Sequence, residues 1–371
     1  DSHRSFIAAW ILRVLGAVCV AGTLLPLLPT GFWLVRGWDF PRFQLAIVLT
    51  VLAPLFWLLR HRFRSGKEPA LWLATVLAAC GWQWSHVVPF TAVWAREVEA
   101  PREDRATLRL LIVNLKYDNA AHADVSSQIR ALDPDVLVLI EVDRKWNAGL
   151  ADLRSDYEFH QDEIRGEGLG LCVWSKVRMP SAETRFLVED HRPSIWARFL
   201  FDGQPRNRVA VHPTPPGLKH RTGEDRRDSR VRDADLVLIA KKGGQGPDEA
   251  WIVAGDFADV AWTHTTRLFK RLSGLNDPRI GLSYLATYPA DYPLFRFPID
   301  HVFVSDGFKV ASLARHRITG SDHYGVSVAL TIENPEAGVT PEPEGDDRLE
   351  AAEIVGEGKQ DAQQRGVSSD P

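Results

Sequence analysis

The sequence predicts an α/β protein of the α+β type, in which a three-helix transmembrane region precedes a layered domain with largely antiparallel sheets. Three apolar runs occupy residues 1–95, and short β-rich runs bounded by Gly, Pro, Asp and Asn fill residues 107–332. The second region is long enough to bury a sizeable core. The chain has three Cys, two of them inside apolar runs, so a disulfide framework is excluded.

The three apolar runs lie at about 6–29, 43–59 and 70–88, and they predict transmembrane helices. The first contains one charged residue, Arg13, and the other two contain none. A helix of about 20 apolar residues spans a bilayer, and about 17 can suffice. Eight of the thirteen Trp fall in this region, mostly near the ends of the runs, where their rings favour the interface. The alternative is three buried helices of a soluble protein.

The loop between the second and third runs is strongly basic. It contains Arg60, Arg62, Arg64 and Lys67. Short loops rich in Lys and Arg stay in the cytoplasm. With three spans, the rest of the chain would lie outside, so we expect a multi-pass protein of a bacterial inner or cell membrane with an extracytoplasmic domain. The difference in basic residues between the two sides of the membrane is reduced by three Arg that follow the third run, namely Arg96, Arg102 and Arg105.

Eight short apolar runs predict the strands of the domain by their length and β-branched content. They lie at 108–113, 135–141, 170–175, 195–201, 208–212, 251–257, 299–305 and 325–330. Helical spacing of apolar residues occurs at 122–132, 227–241 and 264–272. Strands and helices mix without a strict βαβ repeat, which favours a layered domain with antiparallel pairing.

Two polar segments flank this domain. Residues 96–106 are predicted to be a linker. Residues 333–371 contain 11 acidic and 3 basic residues, which gives this segment a charge of −8 and leaves +4 on the rest of the chain. Because the segment has few large apolar residues, we expect an acidic disordered tail.

Acids, histidines and an asparagine recur where the predicted strands end. They are Asn114, Glu141, His212, Asp256, the pair Asp300 and His301, and the pair Asp322 and His323. Side chains at the ends of several strands can converge on one edge of a sheet, which is a common place for a functional site. Taken singly, such an Asp is more often a turn former and a lone His more often structural. The prediction of a site therefore depends on the whole set.

These motifs, taken in order, resemble the endonuclease/exonuclease/phosphatase superfamily, which has the DNase I-like fold. The matching segments are LLIVNLKYDN, DPDVLVLIEV, VAVHPTPP, GDF, IDH and SDH. The resemblance covers the domain at 107–332 and implies a two-layer β-sandwich flanked by helices. The segments HPTPP, DVAW, DPRIG and GSDH together look like a bacterial branch with N-terminal membrane helices.

The resemblance also implies a reaction and a role for each residue. The reaction is hydrolysis of a phosphodiester or phosphomonoester that depends on Mg²⁺ or Mn²⁺. The implied metal ligands are Glu141, Asn114 and Asp322. The implied catalytic residues are Asp256, His323, Asp300 and His212, of which Asp256 would activate water and Asp300 would hold His323. Asn114 and His212 would bind substrate.

One position departs from the family pattern. The family motif Gly-Asp-Phe-Asn ends here in Ala258, and alanine cannot hold the attacking water or the phosphate. Either the chain is a low-activity form, natural or engineered, or a neighbour such as Asp259 compensates. Loss of one preorganised polar group costs on the order of 10²–10³ in rate.

The substrate class stays open at this stage. Nucleic acid, phospholipid and inositol phosphate all occur as substrates in the family, and no obligate protein partner is inferred. Basic residues at 221–232 are typical of a solvated helix start or of a site for a phosphate-rich partner. Aromatic residues at 284–297 could stack on bases, meet lipid or simply pack a loop. The alternative to an enzyme is a catalytically decayed, membrane-tethered module that binds a phosphorylated ligand or a protein partner.

Overall fold

The computed structural model describes residues 2–63, 67–102, 107–217, 227–242, 250–333 and 340–369, with backbone alone for 2–6. The α-helices are α1 (Ser2–Leu24), α2 (Trp33–Arg36), α3 (Arg42–Leu58), α4 (Glu68–Val87), α5 (His122–Leu132), α6 (Arg144–Gly149), α7 (Ala151–Arg154), α8 (Arg230–Lys242), α9 (His264–Ser273) and α10 (Asp347–Arg365). The strands are β1 (Leu108–Asn114), β2 (Val136–Ile140), β3 (Phe159–Glu163), β4 (Leu171–Ser175), β5 (Ser181–Phe186), β6 (Pro193–Phe201), β7 (Gln204–Val211), β8 (Trp251–Asp256), β9 (Asp300–Val304), β10 (Phe308–Arg317) and β11 (Tyr324–Ile332).

The strands form two sheets that pack face to face. One sheet has the order β10-β11-β1-β2-β4-β3, and the other has the order β5-β6-β7-β8-β9. Only the β1–β2 and β7–β8 pairs are parallel among the named strands. A core of residues from both sheets fills the space between them, while α5 to α7 cover one outer face and α8 with α9 cover the other. The expected mixed fold with two sheets flanked by helices is therefore confirmed.

Strand β2 illustrates why the central strands are apolar throughout. Its five residues VLVLI are all buried. Val136, Val138 and Ile140 point into the core between the sheets. Leu137 and Leu139 point to the opposite face, where α5 and α6 cover them. Because side chains alternate along a strand, a strand covered on both faces needs apolar residues at every position.

Helices α1, α3 and α4 occupy the three predicted spans and pack on one another through an apolar cluster. Among the described residues, only the segment Ile7–Leu27 is by itself long and apolar enough to cross a membrane. A second candidate exists if Trp33–Asp39 and Arg42–Leu58, which are bent by 66°, count as one span. Helix α3 alone has 17 residues, and the last turns of α4 contain polar side chains. Length and composition thus support one or two spans rather than the predicted three.

The N-terminal helices contact the domain at one end. The Trp262 indole donates a hydrogen bond to the Asp39 carbonyl at 2.7 Å, and Arg36 donates to the Thr265 hydroxyl at 3.2 Å. The basic turn at Arg60–Arg62 lies at the far end of α3 from these contacts. Residues 64–66 of the predicted basic loop lie outside the described residues.

The C-terminal segment differs from the disordered tail that its composition predicts. Helix α10 packs on α8 and α9, and its small residues make the contact. A Cβ at Gly358 would lie 2.3 Å from the Cβ of Ala234, so the two helices approach closely. Arg271 binds Asp347 through two hydrogen bonds, at 2.6 and 2.8 Å. Composition missed this helix because mainly Ala and Gly bury it, with only Ile354 and Val355 as larger apolar side chains. Residues 334–339 and 370–371 lie outside the description.

The predicted linker is attached to the domain where it is described. The Lys270 ammonium binds the Glu97 carboxylate at 2.7 Å. The backbone N–H of Val310 donates to the Glu99 carbonyl at 2.9 Å. Residues 103–106 of the linker lie outside the described residues.

Candidate active site

The two parallel strand pairs place four predicted site residues at one edge of the sandwich. Asn114 ends β1 and Glu141 follows β2, its parallel neighbour. His212 follows β7 and Asp256 ends β8, which are parallel in the other sheet. The Asn114 amide donates to the Glu141 carboxylate at 3.3 Å and to the Asp256 carboxylate at 3.4 Å, so it links the two sheets.

His323 lies between two carboxylates. Its Nδ1 is 3.0 Å from Asp300 Oδ2, and its Nε2 is 3.7 Å from Asp256 Oδ2. His212 approaches the same Asp256 oxygen, with its Nε2 at 4.0 Å. All four side chains are buried. The sequence motifs at Asp256, Asp300 and His323 therefore meet in a single polar cluster.

The charges of this cluster control its proton affinities. Burial alone would lower the pKa of His323, but the negative charge and hydrogen bond of Asp300, with the charges of Asp256 and Asp322, raise it to about 10. Burial, reinforced by the nearby charge of Asp300, raises the pKa of Asp256 to about 7. The imidazole is thus a cation at neutral pH, while Asp256 can exchange a proton in the same range.

Glu141 is a half-buried residue beside this cluster. Burial raises its pKa, although hydrogen bonds from the Tyr117 backbone N–H at 3.0 Å and from Asn114 oppose this shift. Within the described part of the chain, no Lys, Arg or His forms an ion pair with it. Its backbone has φ of +66°, a conformation that side-chain-bearing residues rarely adopt and that clusters at functional sites.

Asp322 is half-buried beside this cluster rather than bonded into it. Its backbone carbonyl accepts a hydrogen bond from Ala290 N–H at 2.6 Å. Among the described residues, no hydrogen bond or ion pair joins its carboxylate to the other site residues. Its negative charge nevertheless raises the pKa values of Glu141 and His323.

The residues fit a hard divalent cation, though not through the full predicted ligand set. The described residues include one group of acids and histidine close enough to share an ion, namely Asp256, Asp300 and His323. The His323 imidazole in that group is engaged with Asp300. Glu141 offers what such a cation needs, since it is a half-buried carboxylate that forms no ion pair with any described residue. The Asn114 amide N–H donates to Glu141, and the amide oxygen accepts from the Lys116 N–H. In this arrangement Asn114 orients the Glu141 carboxylate, and its own oxygen is not offered to a cation.

The loop at Ala258 is held in the left-handed region, with φ of +51°. Ala258 N–H donates to the Asp256 carboxylate at 2.8 Å, and its carbonyl accepts from Arg232 at 2.8 Å. Asp259 is buried, forms an ion pair with Arg232 at 3.3 Å and accepts from the Thr263 hydroxyl at 2.6 Å. The Asp259 carboxylate is thus engaged with Arg232 and Thr263 and braces the loop.

The glycine of the Gly-Asp-Phe motif has a steric role at this edge. A Cβ at Gly255 would lie 2.1 Å from the Val211 carbonyl oxygen, and its φ is +150°. No side chain fits there without moving β7 away from β8. Gly255 therefore sets the close approach that brings His212 toward Asp256.

Two neighbours of the site were not predicted. The Tyr288 ring lies 4.6 Å from the His323 ring and forms one wall of the cluster. Beneath the loop, Arg279 binds Asp277 at 2.7 Å and also donates to His301 Nδ1 at 2.7 Å. The segment DPRIG contains this Asp and Arg, but the sequence alone does not show that they meet a histidine twenty residues further on.

Comparison with known families matches this domain to one of them. The model of the Endonuclease/Exonuclease/phosphatase family matches residues 112–323, more than half of the chain. The match includes every predicted site residue from Asn114 to His323. Among curated protein sequences, none matches the chain.

Solved structures share the fold at low sequence identity. An endonuclease/exonuclease/phosphatase from Beutenbergia cavernae is 18% identical with a TM-score of 0.50, covering 64% of this chain and 74% of that one. D. rerio TDP2, solved with a single-strand DNA product, is 18% identical with a TM-score of 0.49, covering 61% and 100%. The mannosyl-6-phosphatase Bt3783 from Bacteroides thetaiotaomicron is 19% identical with a TM-score of 0.45, covering 61% and 100%. The first of these similarities supports the fold.

Proposed function

The chain belongs to the Endonuclease/Exonuclease/phosphatase family, and on that premise we propose that it is a membrane-anchored phosphoric ester hydrolase that depends on Mg²⁺ or Mn²⁺. The observation that carries the proposal is the line of Asp300, His323 and Asp256, with a cationic imidazole between two buried carboxylates. A buried cation with one free N–H suits an anionic phosphoryl group.

His323 supplies the positive charge for the phosphoryl oxygens. Asp300 accepts the Nδ1 proton, which fixes the orientation of the ring and stabilises its charge. The Nε2 proton lies on the side of Asp256, 3.7 Å from its Oδ2, and we propose that it donates to a phosphoryl oxygen bound there. His212, on the other side of Asp256, is placed to donate a second hydrogen bond.

Asp256 is the group placed to accept a proton from the attacking water. Its carboxylate is kept in position by Asn114 and by Ala258 N–H. In hydrolysis, the water oxygen forms a bond to phosphorus and the P–O bond to the leaving group breaks. The water proton moves to Asp256 Oδ2, and the leaving oxygen takes up a proton as it departs.

Glu141 is the residue proposed to hold the metal, with Asp322 beside it. A bound Mg²⁺ or Mn²⁺ supplies charge that polarises the phosphoryl oxygens. Burial raises the pKa of Glu141, and the positive charge of His323 opposes this shift only in part, which supports a role for a metal cation here. Ala258 removes a neutral polar group but no charge, so we propose that metal binding is kept and turnover is weakened.

Membrane anchoring is proposed through the N-terminal helices, with the domain on the outer side. The support is the apolar segment Ile7–Leu27 and the position of Arg60–Arg62 at the end of α3 away from the domain. A reporter fused after Pro371 should be active only outside the cytoplasm. Activity inside alone would reverse the assignment and leave the hydrolase proposal untouched.

The test of the hydrolase proposal is a metal titration of the full-length chain with bis(p-nitrophenyl) phosphate as substrate. Turnover should rise with Mg²⁺ or Mn²⁺ and fall to background in EDTA. Glu141→Gln should remove the metal dependence, because the amide loses the charge that holds a divalent ion. Glu183→Gln, on the exposed edge strand β5, is the matched control and should behave like the wild type.

The second candidate is the non-catalytic binding module, and only Ala258 favours it. This candidate predicts that the chain binds a phosphorylated ligand without cleaving it. If no phosphoester is cleaved at any metal concentration while the protein is folded, the hydrolase proposal is wrong and the binding module stands.

A further inference from the structure

A short loop beside the active site exposes three large apolar side chains. Tyr292 is 64% exposed, Leu294 is 77% exposed and Phe295 is 59% exposed. These three lie within four residues, so they form one continuous apolar tip. Surface apolar residues that cluster in this way mark a contact with a partner or a membrane.

The tip lies against the start of a membrane-facing helix. Gln44, in the first turn of α3, donates from its side chain to the Leu294 carbonyl at 2.9 Å. On the same side, the rings of Phe43 and Tyr284 are 4.9 Å apart, and those of Phe40 and Phe297 are 5.5 Å apart. These contacts place the tip at the level where α3 would enter the bilayer. The exposed apolar surface of α3 continues from it through Ile47, Val48 and Val51.

The base of the same loop forms part of the active site. Tyr288 lies against the His323 ring at 4.6 Å. Two residues later, Ala290 N–H donates to the Asp322 carbonyl at 2.6 Å. Only three residues separate Ala290 from Leu294. The loop therefore connects the catalytic cluster directly to the membrane level.

A basic cluster adjoins the apolar tip. Three guanidinium groups surround the Tyr324 ring, with Arg296 at 4.6 Å, Arg315 at 4.9 Å and Arg317 at 5.8 Å from its centroid. Arg317 pairs with Asp291. Arg296 and Arg315 instead donate to loop carbonyls, so their positive charges have no carboxylate partner among the described residues. Basic residues next to an apolar tip suit a phospholipid surface, where phosphates lie just above the acyl chains.

We propose that the active site faces the bilayer and that its substrate is a membrane phospholipid, with the tip Tyr292–Phe295 inserted among the lipids. This proposal rests on the proposed hydrolase function and names its substrate class. The most exposed residue of the tip is Leu294, which has no ring to stack on a base, and the loop is bonded to α3. Both features favour a lipid over a nucleic acid. In the reaction, water adds its oxygen to phosphorus, one phosphoester P–O bond breaks, and the released alcohol takes the proton.

The experiment compares three substrates with the full-length chain in Mg²⁺. The substrates are phosphatidylglycerol in nanodiscs that hold the protein, soluble bis(p-nitrophenyl) phosphate, and a single-stranded DNA oligonucleotide. The variant Leu294→Ser/Phe295→Ser removes the tip without touching the catalytic cluster. Leu349→Ser is the matched control, because Leu349 is 61% exposed on α10. The tip variant should lose about tenfold or more of lipid turnover, from the lost apolar insertion. Both variants should hydrolyse the soluble diester within about twofold of the wild type, since the apolar tip and α10 lie outside the catalytic cluster.

Each other outcome overturns a distinct statement. If the wild type cleaves the soluble diester and the oligonucleotide but no lipid, the substrate is nucleic acid and the lipid proposal is wrong, while the hydrolase function stands. If the tip variant and the control cleave lipid at the same rate, insertion of the tip does not contribute to lipid hydrolysis, and that part of the proposal is wrong. If none of the three substrates is cleaved by the folded wild type, both the substrate and the hydrolase function are refuted.

Discussion

Two buried histidines at neighbouring strand-end motifs differ in charge at neutral pH: His323 is a cation and His301 is neutral. His323 lies against Asp300 at 3.0 Å, and the nearby carboxylates raise its pKa to about 10. His301 lies against the rings of Phe257 at 4.7 Å and Phe303 at 5.4 Å. Burial and the positive charge of Arg279 lower the pKa of His301 well below its usual value. Burial is the same in both places, so the neighbours decide the charge.

The hydrogen bonds of His301 explain its structural role. Its Nδ1 accepts from the Arg279 guanidinium at 2.7 Å, which can only donate. Its Nε2 donates to the Asp259 carbonyl at 2.8 Å, which can only accept. Both nitrogens are therefore committed in the neutral ring, and His301 holds the loop that follows Asp256. His323 has one nitrogen committed to a carboxylate and one turned toward the site, as a phosphate donor requires.

The two regions are the catalytic cluster around His323 and the structural cluster around His301. The largest expected effect distinguishes them through a matched pair of buried aspartates. Asp256→Asn should lower kcat by about 10³-fold, because the amide cannot accept the proton of water. It should not lower stability, since burial already disfavours the charged form of Asp256. Asp277→Asn should cost about 3–5 kcal/mol of stability, because it leaves the buried Arg279 without its ion-pair partner.

Steady-state rates and the free energies of unfolding of both variants check this split. Purification of each variant in the same detergent keeps the two measurements comparable. An Asp277→Asn protein with full stability, or an Asp256→Asn protein with full turnover, would show that the two regions are wrongly assigned.

A smaller effect is expected at the loop that joins the two regions. Ala258→Asn should raise kcat by about tenfold, because it restores a polar group beside Asp256. Asn also adopts the left-handed backbone, which Ala258 occupies at φ +51°, with less strain than Ala.

Ala258→Gly is the control for this backbone effect. Glycine relieves the same strain but adds no amide. If Ala258→Gly raises kcat as much as Ala258→Asn, the gain comes from the backbone and the missing amide has no role in the rate.

A further expected effect is on the pH dependence of stability in the metal-free protein. The folded pKa of His323, about 10, is higher than its value of 6.5 in the unfolded chain. Its contribution to stability is therefore complete below about pH 6.5 and is lost as the pH rises toward 10. The folded pKa of His301 is lowered, so its effect has the opposite sign, and stability falls as the pH drops below about 6.5.

Unfolding midpoints of the wild type and His323→Gln at several pH values measure the first effect. The difference between them should shrink steadily between pH 7 and pH 10. A difference that stays constant over this range would mean that His323 is neutral in the folded protein.

The sequence predicts much of the site because the site residues follow strands. Asn114 and Glu141 come after buried strands, and parallel pairing brings such ends to one edge. The resemblance to the family then indicates which side chains meet. In the structure, Asp256 lies 3.7 Å from His323 and 4.0 Å from His212.

Other features depend on contacts that no local pattern records. The neutral state of His301 follows from Arg279, which is twenty-two residues away in the chain. Ala258, with its left-handed backbone, is held by a hydrogen bond from Arg232 in helix α8 to its carbonyl. Helix α10 buries Ala351 and Ala362, which composition counts as weakly apolar. Such features need the packed structure, because long-range partners create them.

The most direct test of the account compares His323→Gln with His301→Gln in one assay of soluble phosphodiester hydrolysis with Mg²⁺. We expect His323→Gln to lower kcat by about 10²–10³-fold or more in protein that remains folded. We expect His301→Gln to keep kcat within about tenfold but to lower the melting temperature, because the stacked ring that braces Asp259 is lost. Full turnover by His323→Gln, with hydrolysis abolished in a stable His301→Gln protein, would contradict the account.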